Sequence, residues 1–303
     1  MRLLYLGPPG SFTHAAVAEL GAGVDAVAGT EVRSIIAAVE DGSEDYGLVP
    51  LENSVEGDVS STLDELLFAT TRCLIRREVV VPVTFVLCGL PAATLDGATE
   101  VLSHPHALAQ CKDVVRRIGA VARLTTSTSQ ACVDVLAEGR TDLLALCSPQ
   151  AAVEHGLTVL AEQVEDRPGA ATRMALVGRE LAAPTGRDVT LAALTPSGNV
   201  TGILAEMLRC FSDRGVALSR ISSRPLKGAL GVYTFVIAAQ GHLADQPLAG
   251  ALSALADLEV GIKVLGCYPE ADAQAGAPGG APPGTCLPAD WPERRTALLG
   301  SAR

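Results

Sequence analysis

The chain has 303 residues, 48% of them apolar and 19% charged, which is enough to bury one core or two and too apolar for a disordered chain. Its formal net charge of −11 excludes a basic nucleic-acid-binding surface, while leaving room for a locally positive pocket that takes an anion. Aromatic residues are only 3%, so the cores are expected to be aliphatic.

Residues 2–6 read as a first strand, too short for a signal peptide. Gly7-Pro8-Pro9-Gly10-Ser11 is a turn into a helix starting near Phe12, with Ser11 as its N-cap. Such a turn can be structural, or it can place amides against an anion. A helix follows at 32–39, with Val32, Ile35, Ile36 and Val39 on one face, then a strand at 46–51. Within Gly47–Gly57 an apolar run gives way to Glu52, Asn53 and Ser54. Polar groups at the carboxyl end of a strand suit a small-molecule site, and an ordinary turn with an N-cap suits them too. Residues 62–69 read as a helix, 74–87 as strand with an irregularity at Pro82, and 100–102 as a short strand. Ser103-His104-Pro105-His106 closes that strand before one helix from Ala107 to Ile118.

Further on, a strand at 121–125 leads to the polar turn Thr126-Ser127-Thr128-Ser129. A helix at 130–138 carries Cys132, Val135 and Leu136. A buried strand at 143–147, a short helix at 149–154 and a strand at 157–162 complete an α/β alternation. Residues 178–187 mark a domain boundary. Beyond it, the order strand, helix, strand, strand, helix, strand up to Tyr268 is the ferredoxin-like plan. The Ala, Gly and Pro rich stretch 271–290 and the residues after it are expected to form a disordered tail. Eight cysteines without metal-type spacing read as reduced core residues of a cytoplasmic protein. No segment reads as a membrane span.

Four separated stretches, Tyr5–Thr13, Val49–Gly57, Ser103–Cys111 and Thr172-Arg173, occur in order ahead of the ferredoxin-like segment. Together they resemble the prephenate dehydratase family, and the segment after them is similar to ACT regulatory domains. The resemblance covers about residues 3–270. It implies two α/β lobes, similar to type 2 periplasmic binding proteins, over about 1–79 plus 168–180 and over 80–167. It also implies an ACT domain over 188–270, a homodimer or homotetramer, no metal or organic cofactor, and phenylalanine as the usual inhibitor. The reaction takes carbon dioxide and the ring hydroxyl from prephenate, and a positioned donor assists the departing hydroxide. By resemblance Thr172 is that donor, Asn53 and Glu52 act with it, and Arg173, Ser103, Gln110, Ser54 and His104 bind substrate. His104 can equally be a structural strand-end histidine.

The chain departs from the family pattern in places. Ala170 and Met174 replace an asparagine and a phenylalanine beside Thr172-Arg173. In the effector motifs, Gly202-Ile203-Leu204 and Ser222-Ser223-Arg224-Pro225 carry Ile203 for alanine and Ser222 for glutamate. Phenylalanine is therefore expected to inhibit weakly or not at all, with another amino acid effector, or none, as the alternatives. Two further readings compete: arogenate as substrate, and a non-catalytic amino-acid sensor. A non-aromatising decarboxylase fits less well, because Thr172-Arg173 and Glu52-Asn53-Ser54 are all present.

Overall fold

The computed structural model describes residues 2–198, 200–227 and 231–271. The expected tail from 272 onward lies outside the described residues. A first lobe runs through β1 (Arg2–Leu6), α1 (Phe12–Ala18), β2 (Asp25–Gly29), α2 (Val32–Asp41), β3 (Tyr46–Asn53), β4 (Gly57–Asp58), α3 (Ser60–Phe68) and β5 (Leu74–Pro82). The chain then crosses to a second lobe: β6 (Val86–Gly89), β7 (Glu100–Ser103), α4 (Pro105–Gln110), α5 (Lys112–Ile118), β8 (Val121–Leu124), α6 (Thr128–Glu138), β9 (Leu143–Cys147), α7 (Pro149–Glu154) and β10 (Thr158–Glu162). It returns as β11 (Ala171–Gly178), between β5 and β3 of the first lobe. The second lobe has its own sheet, ordered β10-β6-β9-β7-β8. Two crossing segments, 83–85 and 163–170, therefore join the lobes.

The last unit is β12 (Asp188–Pro196), α8 (Ile203–Ser212), β13 (Leu218–Pro225), β14 (Tyr233–Gln240), α9 (Gln246–Asp257) and β15 (Val260–Pro269). Its sheet order, β13-β14-β12-β15, is ferredoxin-like. One face carries both helices over Leu194, Met207, Phe211, Ile237 and Leu255. The other face packs Leu191, Val236, Ala238 and Leu265 against Leu51, Leu63, Leu66 and Ile75 of the first lobe. A single parallel pairing, Gly266 with Ile75, joins the two sheets into one ten-stranded sheet. The cores are aliphatic, as expected, with Phe211 and Tyr268 the largest fully buried side chains.

Lys263 fastens the ferredoxin-like unit to the first lobe. Its ammonium donates to the carbonyls of Leu66, Leu67 and Thr70 at 2.7, 2.8 and 2.6 Å, all at the C-terminal end of α3. A cation there satisfies orphan carbonyls and complements the helix dipole. Replacing Lys263 with methionine keeps the stem and removes the charge. Chemical denaturation is expected to show a loss of about 2 kcal/mol, the scale of charge-assisted hydrogen bonds.

Several local expectations need correction. The helix read from Ala107 to Ile118 is broken at Cys111, whose φ and ψ are −131° and 35°. Asp166 causes the break to be tolerated, since its carboxylate accepts from the amides of Lys112 and Asp113 at 3.0 Å each. Leu136 is 43% exposed, so the buried face of α6 is Ala131, Cys132 and Val135. β3 continues through Pro50 to Asn53, because the ladder to β11 shifts between Arg173 and Met174 and demands no amide from Pro50. Seven cysteines, Cys286 lying outside the described residues, are buried free thiols. Burial pushes Cys73 and Cys111 up to about 12. Among the described residues no helix is long and apolar enough to cross a membrane.

Candidate active site

The lobes enclose a cleft of about 330 Å³. Its floor is the end of β3 paired antiparallel with the start of β11, Asn53 opposite Thr172 and Glu52 opposite Arg173. Opposed residues share a face and consecutive residues alternate. Thr172 and Asn53 therefore line the cleft together.

Asn53 Nδ2 donates to Thr172 Oγ1 at 2.9 Å. The direction of that bond follows from the turn after β3. Asn53 Oδ1 already accepts from the amides of Val55 and Glu56 at 2.8 and 3.2 Å, so the amide group must present its NH₂ to the threonine. Gly57, with φ of +83°, lets that turn close. Thr172 is thus an acceptor from Asn53, and its own proton is free to point at a bound molecule. Met174 and Pro50 extend the same wall, and Thr13 Oγ1 lies 3.8 Å from Met174 Sδ, where the family pattern has a flat ring.

The second lobe supplies His104, His106, Ala107, Gln110 and the residues Thr126 to Thr128. His104 serves both readings left open for it. Its ring N-caps α4, Nδ1 accepting from the amide of His106 at 3.3 Å, and it also lines the cleft. Burial, then the neighbouring His106, lowers its pKa and favours the neutral ring. His106 Nδ1 meets Glu56 Oε2 of the first lobe at 2.7 Å and bridges the two lobes. Ser127 caps the N-terminus of α6 at the cleft wall.

The turn at residues 7–11 is structural. Gly7 donates to Gly29 O, Gly10 to His14 Nδ1 and Ser11 to Pro8 O, and the two prolines have no amide to offer. Its carbonyls tie the lobes instead: Ser129 donates to Pro9 O and Ser148 to Gly10 O, each at 2.7 Å.

Four predicted site residues lie elsewhere. Ser103 is fully buried and donates to Leu146 O at 2.6 Å, joining β7 to β9. Ser54 exchanges two hydrogen bonds with Ala171, holding β11 to the turn. Arg173 and Glu52, one residue from Thr172 and Asn53, alternate to the back of the sheet and do not line the cleft. No arginine or lysine among the described residues lines it. Conversely His106, Glu56 and Thr126–Thr128 were not singled out as site residues; their position at strand ends facing the cleft is the signal that could have found them.

The effector positions do not share one cavity within the chain. Ile203 lines a small cavity of about 40 Å³ with Gly198, Val232, Tyr233 and Phe235. Gly202 is the left-handed cap of α8, and Leu204 follows in its first turn. Ser222 and Arg224 pair with Val236 and Thr234 on the opposite face, where Arg224 donates to Ser60 at 3.0 Å. As for metals, the sulfurs of Cys88, Cys132 and Cys147 lie within 4.8 Å of one another, in the buried core of the second lobe and not in the cleft.

Comparison with known proteins identifies the family of this fold. The prephenate dehydratase family model matches residues 3–182. The prephenate dehydratase of Mycobacterium tuberculosis H37Rv is 36% identical over 291 residues, 92% of this chain and 90% of that one. The solved prephenate dehydratase of Arthrobacter aurescens, in complex with L-Phe, is 36% identical with a TM-score of 0.82, covering 99% of each chain. GqqA, described as a novel type of quorum quenching acylase, is 28% identical with a TM-score of 0.80, covering 90% of this chain and 99% of that one. The family model over most of both lobes, and relatives alike along nearly the full chain, place it: the chain belongs to the prephenate dehydratase family.

Proposed function

We propose that the cleft converts prephenate to phenylpyruvate, water and carbon dioxide with Thr172 as the donor to the departing hydroxyl. The observation that carries this reading is the hydrogen bond from Asn53 Nδ2 to Thr172 Oγ1, which leaves the threonine proton for the substrate. As the ring carbon–oxygen bond breaks, its electron pair leaves with oxygen and a proton completes water. The carbon–carboxylate bond supplies its pair to the ring, and aromatisation drives both losses. A threonine hydroxyl is a weak acid, so it acts by holding the leaving oxygen while the proton is relayed. With no arginine or lysine among the described residues lining the cleft, the substrate carboxylates fall to His104, His106, Gln110, the hydroxyls of Thr126 to Thr128, and the N-terminus of α6. Purified protein offered prephenate and arogenate is expected to yield phenylpyruvate from the first. Preference for arogenate would change the substrate, and amino acid binding without turnover of either would leave a sensor.

The ferredoxin-like unit is read as an ACT regulatory domain over 188–270, working in a homodimer or homotetramer. Support comes from β13, the open edge of the sheet, with Ile221 and Tyr233 exposed beside it for a second copy. An amino acid effector would then sit between two copies, near Ile203. The Arthrobacter relative holds L-Phe. Here Ile203 and Ser222 each remove a favourable feature, and a clash or a missing polar partner costs about 1–3 kcal/mol. Calorimetric titration is therefore expected to find phenylalanine bound roughly 5- to 150-fold more weakly than by a chain carrying Ile203→Ala and Ser222→Glu. Low-micromolar binding with inhibition by the unmodified chain would overturn this. The buried free thiols suit a reducing cytoplasm.

A further inference from the structure

The alternation that aims Thr172 and Asn53 into the cleft aims Arg173 and Glu52 out of its back. There they meet Glu78 of β5, Arg220 of β13 and Tyr268 of β15 around a second cavity of about 340 Å³, between the first lobe and the ferredoxin-like unit. Arg173 Nε donates to Glu52 Oε2 at 3.2 Å, and its Nη1 to Glu78 Oε2 at 2.5 Å. Tyr268, 1% exposed, donates to the other oxygen of Glu78 at 2.7 Å. Arg220 lies 3.8 Å from Glu52 and pairs with Asp58 of β4. These charges answer one another, so the cavity holds a connected network spanning two folding units.

We propose that Arg173 is a positioning residue for the Thr172–Asn53 pair, and that Glu78, Tyr268 and Arg220 transmit the placement of the ferredoxin-like unit to it. The proposal rests on the reading of Thr172 as donor. Two cross-strand pairs sit side by side on the same two strands: Thr172–Asn53 in front, Arg173–Glu52 behind. The ladder between β11 and β3 shifts directly after them, between Arg173 and Met174. At such an irregularity the backbone bonds hold register least, and side-chain pairs decide it. Arg173 is held from behind by Glu78, and Glu78 is held by Tyr268, whose backbone belongs to β15. A displacement of β15 therefore reaches the catalytic hydroxyl through three side chains, Tyr268, Glu78 and Arg173. Burial and the adjacent Glu78 raise the Tyr268 phenol well above its usual range, so it stays a donor at any working pH. Arg173 has its Nε and Nη1 engaged by Glu52 and Glu78, on the face away from the substrate.

Steady-state kinetics on the full chain tests this. Tyr268→Phe removes one hydroxyl and keeps the ring. It is expected to lower kcat about 10-fold with KM within about 2-fold of the parent. Arg173→Met is expected to show the same split with a larger fall. A large rise in KM for Arg173→Met, with kcat kept, would mean that the guanidinium binds substrate, and would overturn the proposal. In the Thr172→Ala background, Tyr268→Phe should have no further effect, because the group it positions is gone. An additive loss, or an unchanged kcat in Tyr268→Phe alone, would overturn the proposal as well. Should Tyr268→Phe fail to fold by circular dichroism, Glu78→Gln carries the same expectations. A near-parental rate in Thr172→Ala would instead strike the donor reading, so the two failures are told apart.

Discussion

Thr172→Ala is expected to lower the turnover of prephenate by about 10²-fold or more, the range for loss of a positioned proton donor. The hydroxyl is the group that Asn53 holds at the cleft floor, and in the proposed reaction its proton is the one offered to the leaving oxygen. Removing it leaves Asn53 Nδ2 facing the cleft without its acceptor. It also removes the ordering of the departing hydroxyl, which would then have to find water. Stability should change by only about 1 kcal/mol, because one partly buried hydrogen bond is lost and the core is untouched. Thr172→Ser keeps the hydroxyl and should recover most of the rate, losing only the methyl group that limits rotation. Initial rates of phenylpyruvate formation check both variants. An alanine variant that turns over like the parent would show that another cleft group, His104 or His106, assists the leaving oxygen.

The architecture was legible wherever periodicity is local. The alternation of strands and helices from β5 through β10, and the βαββαβ order after residue 188, follow from apolar spacing and from turn residues. Asn53 and Thr172 were legible as motif residues, and the structure brings them to 2.9 Å. What the spacing concealed was the strand that carries Thr172. Ala171–Gly178 is buried on both faces, so it has no polar alternation, and its partners β3 and β5 lie about a hundred residues earlier. With that strand unrecognised, nothing indicated that Thr172 and Arg173 point to opposite sides. Glu52 beside Asn53 has a simpler cause: the strand read at 46–51 stopped short of both, while β3 runs to Asn53. β2 escaped notice because Asp25–Gly29 is an exposed edge strand of small residues, low in the side chains that mark strands. The break at Cys111 depends on Asp166, which comes from the segment returning to the first lobe and leaves no trace near Cys111 in the sequence.

Gly266→Ala is expected to destabilise the chain by about 3 kcal/mol, and to lower its melting temperature by roughly 6–12 °C. β15 approaches β5 at one residue pair, Gly266 with Ile75. A β-carbon at Gly266 would lie 2.4 Å from the Ile75 carbonyl oxygen and 2.7 Å from its Cβ. The nearest obstacle is backbone in the middle of a sheet, so it cannot swing aside as a side-chain tip can. The strand must move instead. Leu265, packed in the core shared with the first lobe, and Lys263, bound to the end of α3, lie on the same stretch of β15 and would be pulled with it. Tyr268 lies two residues beyond Gly266 and holds Glu78, so the displacement also reaches the pair behind Thr172. A fall in kcat should therefore accompany the fall in melting temperature, even at temperatures where the variant remains folded. Gly250→Ala is the matched control. Its β-carbon would meet only the Arg214 side chain, at 3.2 Å, inside α9, where alanine is the better helix former. That variant should melt at or above the parent temperature with unchanged kcat. If Gly266→Ala melts within a degree or two of the parent, β15 has room beside β5, and the single pairing at Ile75 is not what docks the ferredoxin-like unit on the first lobe.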